Sequence, residues 1–77
     1  MNNLSEKEKW MFEAIGLEEQ MKFFENGNWT FGNLLSSAVE RCFIEGLEGD
    51  VVKSLRRCVI HFNSGKYRGE EMDRLIY

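Results

Sequence analysis

The sequence predicts an all-α fold, a small bundle of three main helices followed by a short C-terminal helix. Apolar residues recur at spacings of three and four along most of the 77 residues, which is the period of a helix with one buried face. No segment alternates apolar and polar residues over the length of a strand, and the chain contains no proline that would interrupt a helix. The main helices are expected near residues 5–25, 31–48 and 51–64, within one helical domain spanning residues 1–77.

The first helix is predicted to begin at a capping box and to run to about residue 25. Ser5 can accept a hydrogen bond from the N–H of Glu8, whose carboxylate can reach back to the Ser5 amide. The apolar stripe keeps its phase through Gly16, so a single helix is expected. A break near Gly16 is the alternative, because an interior glycine costs about 1 kcal/mol relative to alanine. Asn26 and Gly27 follow the helix and end it. The residues of the stripe are Trp10, Ala14, Leu17, Met21 and Phe24.

Two aromatic residues of this helix, Phe12 and Phe23, lie on the side opposite the stripe. One explanation is that a second helix of the same chain covers them. The other is that they form the apolar centre of a dimer or partner interface, since aromatic residues are enriched at such sites.

A helical hairpin is predicted at the centre of the chain. Thr30 is expected to cap its first helix, with Trp29 packing over Leu34 as a hydrophobic staple. Gly49 can adopt the positive φ that ends this helix, and Asp50 can cap the next one. So short a connection makes the two helices antiparallel neighbours. The apolar faces expected to meet are Phe31, Leu34, Leu35, Ala38, Val39 and Cys42 on the first helix and Val51, Val52, Leu55, Cys58, Val59 and Phe62 on the second.

Several hairpin residues fall outside these two faces and remain free for a partner. One group is apolar and belongs to the first hairpin helix, and the other forms a basic face on the second. Together with the aromatic pair of the first helix, the candidate partner-binding residues are Phe12, Phe23, Phe43, Ile44, Leu47, Lys53, Arg56, Arg57 and Ile60.

The last part of the chain is predicted to form a link and a short helix. Gly65 is the expected left-handed residue after the third main helix. Residues 66–69 form a link, and residues 70–77 can form a helix of about two turns that would need tertiary contacts to persist. Its inward residues are expected to be Met72, Leu75 and Ile76.

The net charge of −3 conceals an asymmetry along this small acidic chain. Residues 1–50 carry four Lys/Arg against ten Asp/Glu, and residues 51–77 carry six against three. Such a distribution suits self-association or a partner with patches of both signs. A chain of this size also buries only about 60% of its unfolded surface, so a partner chain would add stability.

No basic leader with an apolar run opens the sequence, and no apolar segment approaches the roughly 20 residues of a membrane span, so a cytoplasmic protein without a membrane partner is expected.

No catalytic, metal or cofactor site is predicted. Cys42, Cys58 and His61 resemble a ligand set, since the hairpin brings the two thiols to the same height. A structural zinc site takes four ligands, and no second closely spaced pair is present. Two reduced core thiols are therefore the preferred interpretation, with a disulfide or a metal as alternatives. The paired acids are typical of solvated helix faces, and no phosphate-binding glycine loop or Ser-His-Asp pattern occurs.

These observations favour a small non-enzymatic regulatory or inhibitory protein that binds another protein, itself, or both, and that forms a homodimer. A chain so small, acidic and free of catalytic motifs would suit a phage or mobile-element antagonist of a host protein. The alternative is a small nucleic-acid-binding transcriptional regulator that uses the basic face of the third helix. Ile60 lies among those basic side chains, which suits an acidic protein surface better than phosphates.

Overall fold

The computed structural model describes residues 3–65 and 69–77 of the chain. Its described residues form helices and loops without a strand, so the all-α prediction is confirmed. The helices are α1 (Glu6–Ile15), α2 (Glu18–Glu25), α3 (Phe31–Glu45), α4 (Asp50–Asn63) and α5 (Gly69–Arg74). Of the link predicted at residues 66–69, residues 66–68 lie outside the described residues, and Gly69 is the first residue of α5.

The expectation of one helix from residue 5 to about residue 25 is wrong, because the chain turns at Gly16. Gly16 adopts φ +90°, and its N–H donates to the carbonyl of Glu13 at 2.9 Å. The next amide, that of Leu17, donates to the carbonyl of Phe12 at 2.9 Å and closes the end of α1. Glycine reaches this left-handed conformation at little cost, so it ends the helix here.

The turn at Gly16 also changes which face of α1 is buried. Trp10 and Ala14, which the predicted stripe placed inside, are exposed. The stripe is correct in the second half, where Leu17, Met21 and Phe24 are buried. Because the helix axis changes direction between the two halves, an apolar phase that is continuous in sequence is not continuous in space. The buried residues of α1 are Glu8, Met11, Phe12 and Ile15.

Two of the three predicted N-caps, Ser5 and Thr30, are confirmed, and each forms a reciprocal capping box. The Glu8 amide donates to Ser5 Oγ at 3.1 Å, and the Ser5 amide donates to Glu8 Oε1 at 2.9 Å. The Asn33 amide donates to Thr30 Oγ1 at 3.1 Å, and the Thr30 amide donates to Asn33 Oδ1 at 2.9 Å. These bonds satisfy amides that a helix N-terminus leaves without intrahelical acceptors.

The helical hairpin is present, although its turn differs from the prediction. The first helix ends at Glu45, and Gly46 (φ +63°) rather than Gly49 closes it. Gly49 occupies the N-cap position of α4, where its carbonyl accepts from the amides of Val52 and Lys53 at 3.1 Å each. Asp50 is therefore the first residue of α4 and not its cap. Its carboxylate still lies in the first turn, where the helix dipole favours a negative charge.

The core is centred on Phe31, which brings together rings from three other helices. Its ring centroid lies 5.9 Å from that of Phe12 on α1, 5.9 Å from Phe24 on α2 and 5.5 Å from Phe62 on α4. The contacts with Phe12 and Phe24 are edge-to-face, a geometry that stabilises aromatic pairs beyond the burial of their area. Helices α1 to α4 thus share one apolar centre.

The C-terminal segment packs onto α1 and α4, as predicted for its inward residues. Met72 and Ile76 are buried, and Leu75 is partly buried against the core. Lys7 Nζ donates to the carbonyl of Ile76 at 3.3 Å, and the Tyr77 amide donates to Ser54 Oγ at 3.2 Å. These contacts supply the tertiary support that so short a helix requires.

The Cα radius of gyration is 11.3 Å, close to the roughly 11.5 Å expected of a compact domain of this length. None of the helices within residues 3–65 and 69–77 has the length and apolar character needed to cross a membrane.

Candidate interaction surface

The outer side of α3 and α4 carries most of the exposed large apolar side chains. Phe43 is 87% exposed, Ile44 69%, Ile60 68% and Val39 46%. Within the described residues, these are four of seven exposed large hydrophobic side chains, and the other three (Trp10, Phe23 and Tyr77) lie on other elements. We name this surface the hairpin face, and define it as Val39, Glu40, Phe43, Ile44, Leu47, Val52, Lys53, Arg56, Val59 and Ile60.

The helical period explains why these residues face away from the core. Ala38 and Cys42 lie on the buried side of α3, and Val39 and Phe43 follow each of them by one residue. One step turns the side chain by about 100°, which moves it from the core to the rim of the helix. Val39 was expected in the core and instead lies at the edge of the buried stripe, where it is half exposed.

A groove runs between the two helices along the hairpin face. The half near the turn is a depression of about 380 Å³, walled by Val39, Phe43, Val52 and Arg56, among others. The half near the other end is a depression of about 300 Å³ lined by more polar residues. Val39 lines both depressions, so they adjoin along the hairpin. The apolar half lies beside the most exposed ring of the face.

The predicted basic face is divided between two sides of α4. Lys53, Arg56 and Ile60 are exposed on the hairpin face. Arg57 instead holds the C-terminal segment: its Nε donates to the carbonyl of Leu75 at 3.1 Å, and its guanidinium carbon lies 4.7 Å from the centroid of the Tyr77 ring. Arg57 is thus engaged within the chain and lies apart from Lys53 and Arg56, and its partner-binding role stays a prediction.

The predicted aromatic patch on the first helix is also divided. Phe12 is fully buried against Phe31, so it is not available at the surface, and the explanation that another helix of the chain covers it is correct. Phe23 remains 41% exposed and packs beside the Trp29 ring, with centroids 5.8 Å apart. The buried positions 8, 11, 12 and 15 have helical spacing themselves, so the correct phase of α1 was readable from the sequence once a break at Gly16 was accepted.

The three apolar residues predicted on the outer side of α3 do not all line the groove. Phe43 and Leu47 do. Ile44 lies at the edge of the hairpin face, and together with Glu40 it borders a separate depression beside Leu17 and Gln20. Next to it, Arg41 Nη1 donates to the carbonyl of Gly16 at 3.1 Å and ties α3 to the turn between α1 and α2.

Both cysteines are free and buried, as the core-thiol interpretation predicts. Burial raises the pKa of the Cys58 thiol to about 12, and the nearby Glu8 carboxylate adds to the effect. Burial and Glu45 likewise raise the pKa of Cys42. His61 Nε2 lies 3.7 Å from Glu71 Oε2. In the part of the chain that the structure describes, no three His, Cys, Asp or Glu residues are grouped as metal ligands.

The sequence matches no protein-family model, and comparisons with curated proteins and with solved structures likewise give no match. The hairpin face is therefore interpreted from its own shape and chemistry.

Proposed function

We propose that this chain is a small non-enzymatic regulatory or inhibitory protein that acts through protein–protein interaction, as a homodimer, and that the hairpin face is its binding surface. The observation that supports this most directly is the concentration of exposed apolar side chains there, with Phe43 the most exposed. Burying a side chain of this kind fully contributes about 1.5–3 kcal/mol. A partner that covers this ring therefore gains a substantial part of its binding energy at one position.

The rest of the hairpin face supports a protein partner. Arg56 borders the apolar half of the groove, and Lys53 lies exposed one turn before it. An apolar centre with charged residues at the rim is the usual arrangement of a protein interface. The binding role also suits an antagonist encoded by a phage or mobile element, which inhibits by covering a surface of a host protein.

A non-enzymatic role is supported by the state of the nucleophilic side chains. Cysteine catalysis requires an accessible thiolate. Cys42 and Cys58 are buried, and the pKa of each is raised, so both are protonated thiols at neutral pH.

The nucleic-acid alternative has less support. It relied on a continuous basic face, but Arg57 is held by Leu75 and Tyr77. The two remaining basic residues of that face, Lys53 and Arg56, share the surface with exposed Ile60 and Phe43. Lys53 and Arg56 beside large apolar side chains give this part of α4 little phosphate-binding capacity, and Lys66 and Arg68, which follow in the sequence, lie outside the described residues.

Site-specific photo-crosslinking tests the proposed function. A benzophenone amino acid replaces Phe43 in one variant and Phe23 in a control, and both are irradiated in cells of the source organism. We expect discrete protein adducts from position 43 in clear excess over position 23, because only the former lies on the hairpin face. Mass spectrometry identifies the captured chain. Equal labelling from both positions, or no adduct from position 43, would contradict the proposal.

A further inference from the structure

We infer that the occupant of the hairpin face is a second copy of this chain, packed with α3 of each copy against α4 of the other. This inference rests on the proposed function and specifies its partner and geometry. It rests on the charges of the two helices and on the position of their residues along the hairpin axis, counted from the turn. We call this position the height of a residue.

Two hairpins that pack face to face through a twofold axis have two simple arrangements. An axis parallel to the helices places α3 of each copy on α4 of the other. An axis perpendicular to the helices, lying in the interface, places α3 on α3 and α4 on α4. In both arrangements each copy contributes the same surface to the interface, as a closed twofold dimer requires.

The charges of the hairpin face favour the first arrangement. Within the hairpin face the charged residues are the acidic Glu40 on α3 and the basic Lys53 and Arg56 on α4, all exposed. Glu48, in the turn, borders the apolar half of the groove and adds a second acid on the α3 side. Packing α4 on α4 would bring basic side chains together, and packing α3 on α3 would do the same for acidic ones. Packing α3 on α4 puts opposite charges across the interface, which fixes orientation and partner choice.

Glu40 and Arg56 are both available for such pairing. Both side chains are exposed, and neither takes part in an ion pair or hydrogen bond within the described part of the chain. The nearby Arg41 differs, because it binds Glu45 at 3.4 Å and the carbonyl of Gly16 at 3.1 Å.

The heights of these residues bring them into register. Because the turn is short, residues equally distant from it lie level with one another across the groove. Residues near the turn, such as Phe43 and Val52, line one half of the groove, and residues far from it, such as Gly32 and Asn63, line the other. By the same count, Glu40 lies level with Arg56.

Rotation about an axis parallel to the helices leaves every height unchanged. Glu40 of one copy therefore comes to the level of Arg56 of the other, and the symmetry repeats this ion pair a second time. Phe43 of each copy comes over the apolar half of the opposing groove, beside Val52. The most exposed ring thus meets an apolar surface, and the two free charges meet opposite charges.

A charge-swap experiment tests this geometry. The dimer dissociation constant is measured by sedimentation equilibrium for the wild type, Glu40→Arg, Arg56→Glu and the double variant. Each single reversal creates two like-charge pairs, and we expect it to weaken the dimer about tenfold or more. The double variant restores both pairs with reversed sign, so its dissociation constant should return to within about threefold of the wild type.

Glu18→Arg is the matched control, since Glu18 is an exposed acid on α2, away from the hairpin face. It should leave the dissociation constant unchanged, and circular dichroism should show the same helix content in all variants. A wild-type chain that stays monomeric, or a double variant as weak as the sum of the two single changes, would overturn the inference. If position 43 captures a different protein while the chain is monomeric, the hairpin face stands as the binding surface, whereas the homodimer and this inference fail.

Discussion

The left-handed backbone conformation of Gly16 ends α1 and turns the chain into α2. Its φ of +90° is costly for any residue with a Cβ atom, and a Cβ built there would lie 3.1 Å from Arg41 Nη1. The same guanidinium binds the Gly16 carbonyl. A side chain at this position would therefore strain the backbone and also displace a contact that ties α3 to the first turn.

We expect Gly16→Ala to lower the free energy of unfolding by about 1–2 kcal/mol from the left-handed backbone alone, and by more if Arg41 is displaced. Gly27→Ala is the matched control, because Gly27 has φ +83° and a Cβ atom added there would have no neighbour within 4 Å. Urea denaturation of both variants measures the difference. A Gly16→Ala variant less destabilised than Gly27→Ala would show that the Arg41 contact does not stabilise the fold.

Cys58 links stability to alkaline pH. Its thiol is fully buried, and its pKa is raised from 9.0 to about 12, so the folded state holds this proton more tightly than the unfolded state. The stabilisation is complete below pH 9 and is lost as the pH rises towards 12. Over that window the wild type should lose up to about 1.4 kcal/mol per pH unit through this group.

The comparison variant for this pH dependence is Cys58→Ala, which lacks the titrating thiol. Its free energy of unfolding is lower at every pH because a cavity remains, but its decline above pH 9 should be shallower than that of the wild type. Urea titrations at several pH values between 8 and 11 measure both slopes. Parallel slopes would contradict the linkage.

At the scale of elements, the two adjacent arginines of α4 have different roles. Arg57 binds the carbonyl of Leu75 and lies over the Tyr77 ring, so it holds the segment that follows α5. Arg56 is exposed on the hairpin face. The two residues follow each other in sequence, and the turn of about 100° between them separates a structural role from a proposed binding role.

Replacing each arginine by glutamine should separate these roles. Arg57→Gln should lower the free energy of unfolding by about 1–2 kcal/mol, through the lost hydrogen bond and cation–π contact, and should speed amide hydrogen exchange in residues 71–77. Arg56→Gln, the matched control, should leave both quantities near the wild-type values. Equal exchange rates in the two variants would mean that Arg57 does not hold the C-terminal segment.

The elements also show how far local patterns predict structure. The N-caps at Ser5 and Thr30 and the hairpin were predictable, because a cap is an interaction within four residues and a short turn leaves few arrangements. The end of α1 was harder to predict. Glycine is tolerated inside a helix at a cost of about 1 kcal/mol, and only the packing of α1 and α2 around Phe31 makes the break the better solution.

At the scale of the whole molecule, the aromatic cluster and the hairpin face have complementary roles. Phe31 and its neighbouring rings join four helices inside the chain. Phe43 and the apolar residues around it stay outside. So small a domain cannot enclose all its large apolar side chains. Of the seven exposed ones among the described residues, four (Val39, Phe43, Ile44 and Ile60) are grouped on the hairpin face. That grouping carries the proposed function.

The candidate site was predictable in its residues but not in its boundaries. Phe43, Ile44 and Ile60 are exposed, as their positions off the buried stripes predict. Phe12 and Arg57 were assigned to the surface because each lies opposite an apolar stripe, and a stripe does not reveal which neighbouring element packs against its far side. The groove, with Val39 at its centre, exists only where two helices meet.

The sequence by itself determined the helical class, the N-caps at Ser5 and Thr30, the central hairpin and the burial of both thiols. Each of these depends on periodicity or on contacts between near neighbours in the chain. The tertiary structure decided that α1 ends at Gly16, that Phe12 lies inside and that Arg57 holds the C-terminal segment. Those features depend on which surfaces meet, and that is settled by packing between elements distant in sequence.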